Sequence, residues 1–169
     1  MGEKTNFYDK QGIVKLRDLV EQVSTSLFAT INKNTLEEEY RPMEAQLVDD
    51  DGCIWFFSKK GSEKNKAIEA NNEVKLFFCN PSKSIFLIAN GVCEIVYDKV
   101  KIDKMWSTFL KVWFTDGKDD PTITLLKVQV NDAYYWDTEG AKMINFVKMI
   151  ASVATGKTVD LGNEGSIVL

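Results

Sequence analysis

The sequence IWFFSKKGSEKNKAIEANNEVKLFF, residues 54–78, indicates the architecture of the chain more clearly than any other segment. Residues 54–57 are aromatic or β-branched, a composition typical of a half-buried strand. Ser62 then fits the N-cap of a short helix that ends near residues 71–72. Apolar side chains alternate over residues 74–78, so the segment is predicted to fold as strand, turn, helix and strand.

The turn in this segment carries an excess of positive charge. Four lysines, Lys59, Lys60, Lys64 and Lys66, fall within eight residues that include one acid, Glu63. A helix N-terminus adds unpaired N–H groups and partial positive charge. Together with a serine hydroxyl, these groups are typical of a phosphate anchor. The same residues also fit an ordinary capped helix with solvated lysines, and the local pattern leaves both interpretations open.

Length and composition predict one globular domain over residues 1–169, with a formal net charge of −4. The negative charge argues against a general nucleic-acid-binding protein. Three well-separated cysteines, each in a strand-like run, favour buried reduced thiols and a cytoplasmic protein. The polar N-terminus and the lack of a long apolar run predict neither a signal peptide nor a membrane span.

The sequence contains no histidine. This excludes Ser-His-Asp and Cys-His catalysis and metal sites that depend on imidazole. Asp116, Asp119 and Asp120 lack the spacing of an EF-hand loop and its closing glutamate, so no metal site is expected.

Patterns elsewhere predict helices and short strands joined by turns. Apolar residues at helical spacing predict helices over residues 8–24, 99–112 and 141–154. Strands are predicted over residues 27–31, 41–48, 84–88, 92–97, 122–130 and 133–137. The connections are predicted to be a solvated acidic loop at 32–40, hairpin turns at 49–52, 90–91 and 131–132, a structured loop at 113–121, and a tail at 155–169 that packs poorly or against a partner.

Short strands at near-regular spacing predict a mainly β protein, an antiparallel barrel with helices on its ends and one side. A β-sandwich with peripheral helices is the alternative architecture. Pro42, which lacks an N–H group, fits only the start or the edge of a strand in either arrangement.

Three features in a fixed order carry a resemblance to a known family. Arg41-Pro42-Met43 opens a strand, and Ser58 followed by Ser62-Glu63-Lys64 closes the next one. The segment WFTDGKDDP, residues 113–121, leads into strands that end in Tyr135-Trp136-Asp137. This arrangement resembles the general stress protein branch of the pyridoxamine 5′-phosphate oxidase-like family, the FMN-binding split barrels. The resemblance covers nearly the whole chain.

The resemblance implies that FMN, or alternatively FAD, lies in a groove at the interface of a homodimer. The implied cofactor-binding residues along the ring and phosphate side of the groove are Arg41, Pro42 and Met43, followed by Phe57 and Ser58 at the end of the next strand. At the phosphate the resemblance implies Ser62 and Lys64, with Lys66 as a further candidate. It also implies two aromatic residues near the flavin, Trp113 and Trp136, contributed by either subunit. Simpler interpretations remain open at this point: a plain strand start for residues 41–43, barrel core for Trp136, and a dimer contact for Trp113.

Two departures from the family pattern limit what the resemblance implies. The family oxidases commonly have Ser-Arg-Lys at the phosphate turn, whereas this chain has the acid Glu63 in the middle position, which should weaken phosphate binding unless it points outward. True pyridoxamine phosphate oxidases also carry an Arg- and His-containing segment that holds the substrate. Residues 137–169 contain neither residue type, so a vitamin B6 oxidase is not expected.

The leading functional hypothesis is an FMN-dependent oxidoreductase acting on a small-molecule redox substrate, without a catalytic side chain of its own, because the flavin carries the chemistry. One alternative is a flavin carrier or sensor in the stress response that does not turn over. A third hypothesis is a flavin-free barrel that binds another protein. Net acidity weighs against a nucleic-acid partner.

Overall fold

The computed structural model describes residues 3–138 and 163–169. The predicted helix over residues 141–154 and the first part of the predicted tail lie outside the described residues. In the described part of the chain, no helix combines the length and the apolar composition that crossing a bilayer requires.

Short strands dominate the described residues, with three helices and three 3₁₀ turns between them. In chain order the elements are β1 (Glu3–Lys4), β2 (Phe7–Tyr8), α1 (Asp9–Gln22), β3 (Thr25–Ile31), β4 (Glu38–Val48), β5 (Cys53–Lys59), α2 (Glu63–Ala70), β6 (Glu73–Asn80), a 3₁₀ turn (Pro81–Lys83), β7 (Ile85–Val96), α3 (Lys99–Met105), 3₁₀ turns at Thr108–Val112 and Gly117–Asp119, β8 (Ile123–Asp137) and β9 (Asn163–Val168).

The strands close into an antiparallel barrel, as predicted, and do not form a sandwich. The order of hydrogen-bonded neighbours is β8-β5-β4-β3-β6-β7, and β7 pairs again with β8. Successive side chains of a strand point to opposite faces, so one set of side chains from these strands fills the barrel. Helix α1 adds Leu16 and Leu19, both fully buried, to this core.

Strand β5 is buried on both faces, not half-buried as predicted. Ile54 and Phe56 belong to the barrel core, whereas Trp55 and Phe57 belong to a second cluster with α3 and the loop after it. Because apolar residues cover the strand from both sides, its sequence is a continuous apolar run and does not alternate.

Two predicted hairpin turns, at residues 90–91 and 131–132, are wrong. Strands β7 and β8 run through both positions without a turn. The two dipeptides lie opposite each other at a bulge, where Asn90 pairs with Asp132 and Gly91 pairs with Val130. A Cβ atom on Gly91 would lie 2.2 Å from the carbonyl oxygen of Gln129. Glycine is therefore required here for the close approach of two strands, not for a turn.

Two other predicted boundaries were also wrong. The acidic loop ends earlier than predicted, because β4 already begins at Glu38, which pairs with Ile31 and forms an ion pair with Lys75. The predicted helix over residues 99–112 stops at Met105, and a 3₁₀ turn follows. Between them Trp106 turns inward to pack on Phe57, with ring centroids 6.0 Å apart.

The described part of the tail packs on its own chain, contrary to the prediction. Strand β9 pairs antiparallel with β8 and parallel with β1 and β2, and Ile167 is fully buried. The cysteines also differ from expectation in part. Cys53 and Cys93 are buried, and burial raises the pKa of the Cys93 thiol to about 12. Cys79, expected to be buried, is exposed on the outer face of the barrel.

We expect Gly91→Ala to destabilise the protein by roughly 2–4 kcal/mol, because a β-carbon at this position collides with backbone and not with a flexible side chain. Gly117→Ala is the matched control: its φ of +78° strains an L residue, but no atom lies within 4 Å of the added carbon. The control should lose only about 1–2 kcal/mol. Urea denaturation of both variants measures the difference, and equal losses would contradict the bulge contact.

Candidate functional site

A groove of about 400 Å³ lies on the outside of the barrel, next to α2. Its lining residues come from β4, from the end of β5, from α2 and from the 3₁₀ turn after α3. They are Pro42, Met43, Glu44 and Gln46, then Phe57, Ser58 and Lys59, then Lys64, and finally Leu110, Val112, Trp113 and Phe114. The volume is within the range of small-molecule binding sites.

The groove exists because β4 and β5 separate. They pair from Val48–Ile54 to Ala45–Phe56, with a register irregularity between Ala45 and Leu47. Beyond that point the described ladders join residues 38–44 of β4 to β3, and residues 57–59 of β5 to β8. Pro42 lies in the separated part of β4, where its missing N–H group prevents a ladder bond toward β5.

Aromatic residues form the apolar wall of the groove. Phe57 and Phe114 are buried, with ring centroids 6.1 Å apart. Trp113 is 56% exposed and packs edge-on against Phe109 at a centroid distance of 5.3 Å. The apolar wall therefore combines the exposed ring of Trp113 with the buried rings of Phe57 and Phe114.

Two ammonium groups tie the loop that carries Trp113 to α3, and that of Lys118 lies 3.6 Å from the carboxylate of Asp103. Lys99 donates to the carboxylates of Asp103 and Asp119, at 2.9 and 2.6 Å, and to the carbonyl oxygen of Lys118 at 3.0 Å. Asp120 caps the following turn by accepting from the backbone N–H and the hydroxyl of Thr122. These contacts hold residues 118–120 of the segment 113–121, which was correctly predicted as a structured loop.

Ser62 caps α2 as predicted, because its hydroxyl oxygen accepts from the backbone N–H of Asn65. The Asn65 side chain is itself buried, and it connects Ser58 and Ser62 with Thr124 on β8. Sequence reasoning missed Asn65, although an amide three residues after a serine cap is the position of a capping box. It also missed Thr124, which is distant in sequence and gave no signal.

Lys64 is a partly buried cation that faces the groove. Burial, and next the positive charge of Arg41, lower the pKa of its ammonium group. Among the ion pairs of the described residues none involves Lys64, whereas Arg41 pairs with Glu39 at 2.9 Å and donates to Thr30 at 3.2 Å. A desolvated ammonium next to a guanidinium, without a carboxylate of its own, is the electrostatic pattern of an anion site.

Lys66 and Glu63 point away from this site. They form an exposed ion pair of 2.7 Å, and the Glu63 side chain is 84% exposed. The acid in the phosphate turn is thus directed toward solvent and neutralised, which removes the electrostatic objection to an anion beside Lys64. Lys66 is not among the groove residues.

The structure brings most of the predicted site residues together, but not all of them. Pro42, Met43, Phe57, Ser58, Lys64 and Trp113 line the groove. Arg41 and Ser62 are not among the lining residues. Trp136 lies elsewhere, on the outer face of β8 beside Phe86, and it is 39% exposed. Sequence reasoning named Lys59 only as part of the lysine-rich turn, and it did not identify the lining residues Glu44, Gln46, Leu110, Val112 and Phe114.

Sequence comparison places the chain among known proteins. The model of the family "Pyridoxamine 5′-phosphate oxidase like" matches residues 11–160. The protein bli-3 of Neurospora crassa is 23% identical over 154 residues, which cover 84% of this chain and 72% of that protein. General stress protein 26 of Bacillus subtilis is 26% identical over 121 residues, which cover 70% of this chain and 83% of that protein.

Solved structures share the fold. A protein named general stress protein 26, from Jannaschia sp. CCS1, superposes with a TM-score of 0.77 at 24% identity, covering 92% of this chain and 97% of that chain. The general stress FMN/FAD binding protein of Xanthomonas citri superposes with a TM-score of 0.63 at 23% identity, covering 76% of this chain and 89% of that chain.

We expect Lys64→Met to stabilise the ligand-free protein at pH 7. The folded-state pKa lies below the usual 10.5, so the charged form opposes folding at every pH below that folded-state pKa. A gain of about 1 kcal/mol would raise Tm by roughly 2–4 °C in a chain of this length. The gain should shrink as pH rises through the folded-state pKa and vanish where lysine is neutral in both states.

Lys66→Met is the matched control for this measurement. The hydrogen bond to Glu63 raises the pKa of Lys66, so its removal should give no gain in Tm. Differential scanning fluorimetry between pH 6 and 11 compares the two variants. A lower Tm for Lys64→Met at pH 7 would mean that the ammonium already has a counterion.

Proposed function

The chain belongs to the pyridoxamine 5′-phosphate oxidase-like family, and we propose that it is a flavoprotein of the general stress protein type that binds FMN in the groove between β4 and β5. The observation that carries this proposal is the partly buried ammonium of Lys64, beside Arg41 and without a carboxylate partner in the described residues. A phosphate dianion is the complementary ligand.

The residues present fit a flavin mononucleotide. The groove is large enough for a planar heterocycle, and Met43, Phe57 and Trp113 supply apolar and aromatic surface for one. Lys64, with Arg41 behind it, would hold the phosphate, and the start of α2 adds its partial positive charge. When bound, the flavin would supply hydride or electron transfer. The role of this chain would be to bind and orient the ring and to exclude water from its inner face.

We further propose redox turnover of a small-molecule substrate, with the flavin as the reactive group and no side chain as a catalytic acid or base. A pyridoxamine phosphate oxidase activity is not part of the proposal, since residues 137–169 contain no counterpart of the Arg- and His-containing segment of those enzymes. Reduction of the bound flavin distinguishes turnover from simple flavin carriage. If NADH or NADPH reduces the bound flavin, the result supports the oxidoreductase. If neither reduces it, the result supports a carrier or sensor.

The outer face of the barrel supports a homodimer. Paired positions form an outward row from Pro42 through Leu27, Phe77 and Ile88 to Tyr134. Leu27 is 47% exposed, and the neighbouring Tyr40, Phe86 and Trp136 are 39–48% exposed. A contiguous apolar surface of this kind is unusual on a monomer. Since Pro42 also lines the groove, a second copy seated on this row would lie beside the flavin, and its Trp136 could reach the same region.

Lys64→Gln should weaken FMN binding roughly 10–100-fold, because a charge-assisted contact worth about 1.5–3 kcal/mol is lost. Riboflavin, which lacks the phosphate, should lose less than about threefold. Lys33→Gln, an exposed lysine in the loop before β4, is the control and should change neither affinity. Quenching of flavin fluorescence measures both dissociation constants, and equal losses for the two flavins would contradict the phosphate assignment.

Titration of the unmodified protein with FMN tests the proposal as a whole. The expected result is saturable quenching, tighter for FMN than for riboflavin. Absence of quenching by either flavin at tens of micromolar would overturn the proposed function.

The double variant Leu27→Asp with Phe86→Asp should shift the protein from dimer to monomer in analytical ultracentrifugation. Two buried carboxylates on an apolar contact should weaken association by at least about tenfold, or 1.4 kcal/mol. Val100→Asp is the control, because Val100 is 79% exposed on α3, outside the row. A double variant that remains dimeric would show that another surface joins the subunits.

A further inference from the structure

Asn65 lies in a buried polar network that the sequence did not reveal. Its side chain is 2% exposed, as is Ser58, and Thr124 is 9% exposed. The network joins the end of β5, the start of α2 and β8. Buried polar groups of this kind persist only when each is hydrogen-bonded, so the network fixes the relative position of the three elements.

The directions of these hydrogen bonds are mutually consistent. Ser58 and Ser62 donate their hydroxyl protons to Oδ1 of Asn65, at 2.5 and 3.1 Å. Nδ2 of Asn65 donates to the hydroxyl oxygen of Thr124 at 3.1 Å, and Thr124 donates to the carbonyl oxygen of Ser58 at 3.2 Å. A hydroxyl has one proton. In this arrangement the hydroxyl protons of Ser58, Ser62 and Thr124 are all donated within the network. None of these three protons is left for an anion in the groove.

Lys64 depends on this network for its position. It precedes Asn65 in α2, and the two side chains point in different directions: Asn65 into the protein and Lys64 into the groove. A helix of eight residues has little stability of its own. Its rotation about its axis is set by its buried side chains, Asn65 and Ile68. A small rotation of α2 would move the Lys64 ammonium away from the groove.

We propose that Asn65 is a positioning residue for phosphate recognition: it locks α2 against β5 and β8, so that the ammonium of Lys64, supported by the positive charge of Arg41, and not the hydroxyls of Ser58 and Ser62, receives the phosphate. This inference rests on the proposed flavin function and goes beyond it by assigning the selectivity for a phosphorylated flavin to two cations and one remote amide. Ser62 then acts as a helix cap.

The test measures the ratio of riboflavin to FMN dissociation constants, because a general loss of structure affects both flavins alike. Asn65→Leu is the obvious variant but can fail to fold, so Thr124 is varied as well. Thr124 does not line the groove, so it can affect the phosphate only through its network partners Asn65 and Ser58. Thr124→Val, which removes the acceptor for Nδ2 and the donor to the Ser58 carbonyl oxygen at nearly constant volume, should lower the ratio about three- to tenfold. Thr124→Ser, which keeps the hydroxyl, should restore it.

A second variant tests the part assigned to the hydroxyl groups. Ser58→Ala removes one of the two hydroxyl donors to Oδ1 of Asn65, which keeps its hydrogen bonds to Ser62 and Thr124. The ratio should therefore fall by less than about threefold, whereas Lys64→Gln lowers it at least about tenfold. If Ser58→Ala lowers the ratio as much as Lys64→Gln does, the serine donates to the phosphate and the inference is overturned.

The two levels of the proposal fail differently. If the unmodified protein binds FMN more tightly than riboflavin but Thr124→Val keeps the full ratio, the positioning role of Asn65 is overturned and the flavin function stands. If the unmodified protein binds neither flavin, the proposed function and this inference are both overturned.

Discussion

The separation of β4 from β5 beyond the Ala45–Phe56 pair is the constraint on which the site depends. Up to that pair the two strands form an ordinary ladder of the closed barrel. Beyond it each strand remains hydrogen-bonded to its other neighbour, so the gap opens without leaving the barrel unsupported. The aromatic loop and the start of α2 then border the gap from two sides. A rigid barrel thereby positions a groove at its own surface, which preorganises whatever binds there.

The groove carries charge at the expense of stability. Burial and Arg41 both oppose the charged form of Lys64, and a sequence selected for stability alone would place a neutral side chain there. The neighbouring pair of Glu63 and Lys66 shows the contrast, because it is exposed and self-neutralising. The desolvated cation and the exposed ion pair lie within one turn of helix, and only the cation faces the groove.

Local patterns predicted the fold well and predicted part of the groove lining. The cap at Ser62, the helix over residues 8–24 and the hairpin at 49–52 follow from contacts near in sequence, and the structure confirms them. The turns predicted at Asn90-Gly91 and Asn131-Asp132 failed because glycine and asparagine also serve a bulge, and only the pairing of β7 with β8 distinguishes the two. Thr124 and the wall residue Phe114 reach the site through tertiary packing, which no local pattern records. The pairing of β9 with three other strands is equally non-local.

Pro42 has a consequence for solubility. An opened strand normally exposes a row of amide donors to which a strand of another molecule can add, and such edges seed aggregation. In β4 a proline interrupts that row at the groove. The proline therefore removes one of the donors that a strand of another molecule would need at this edge.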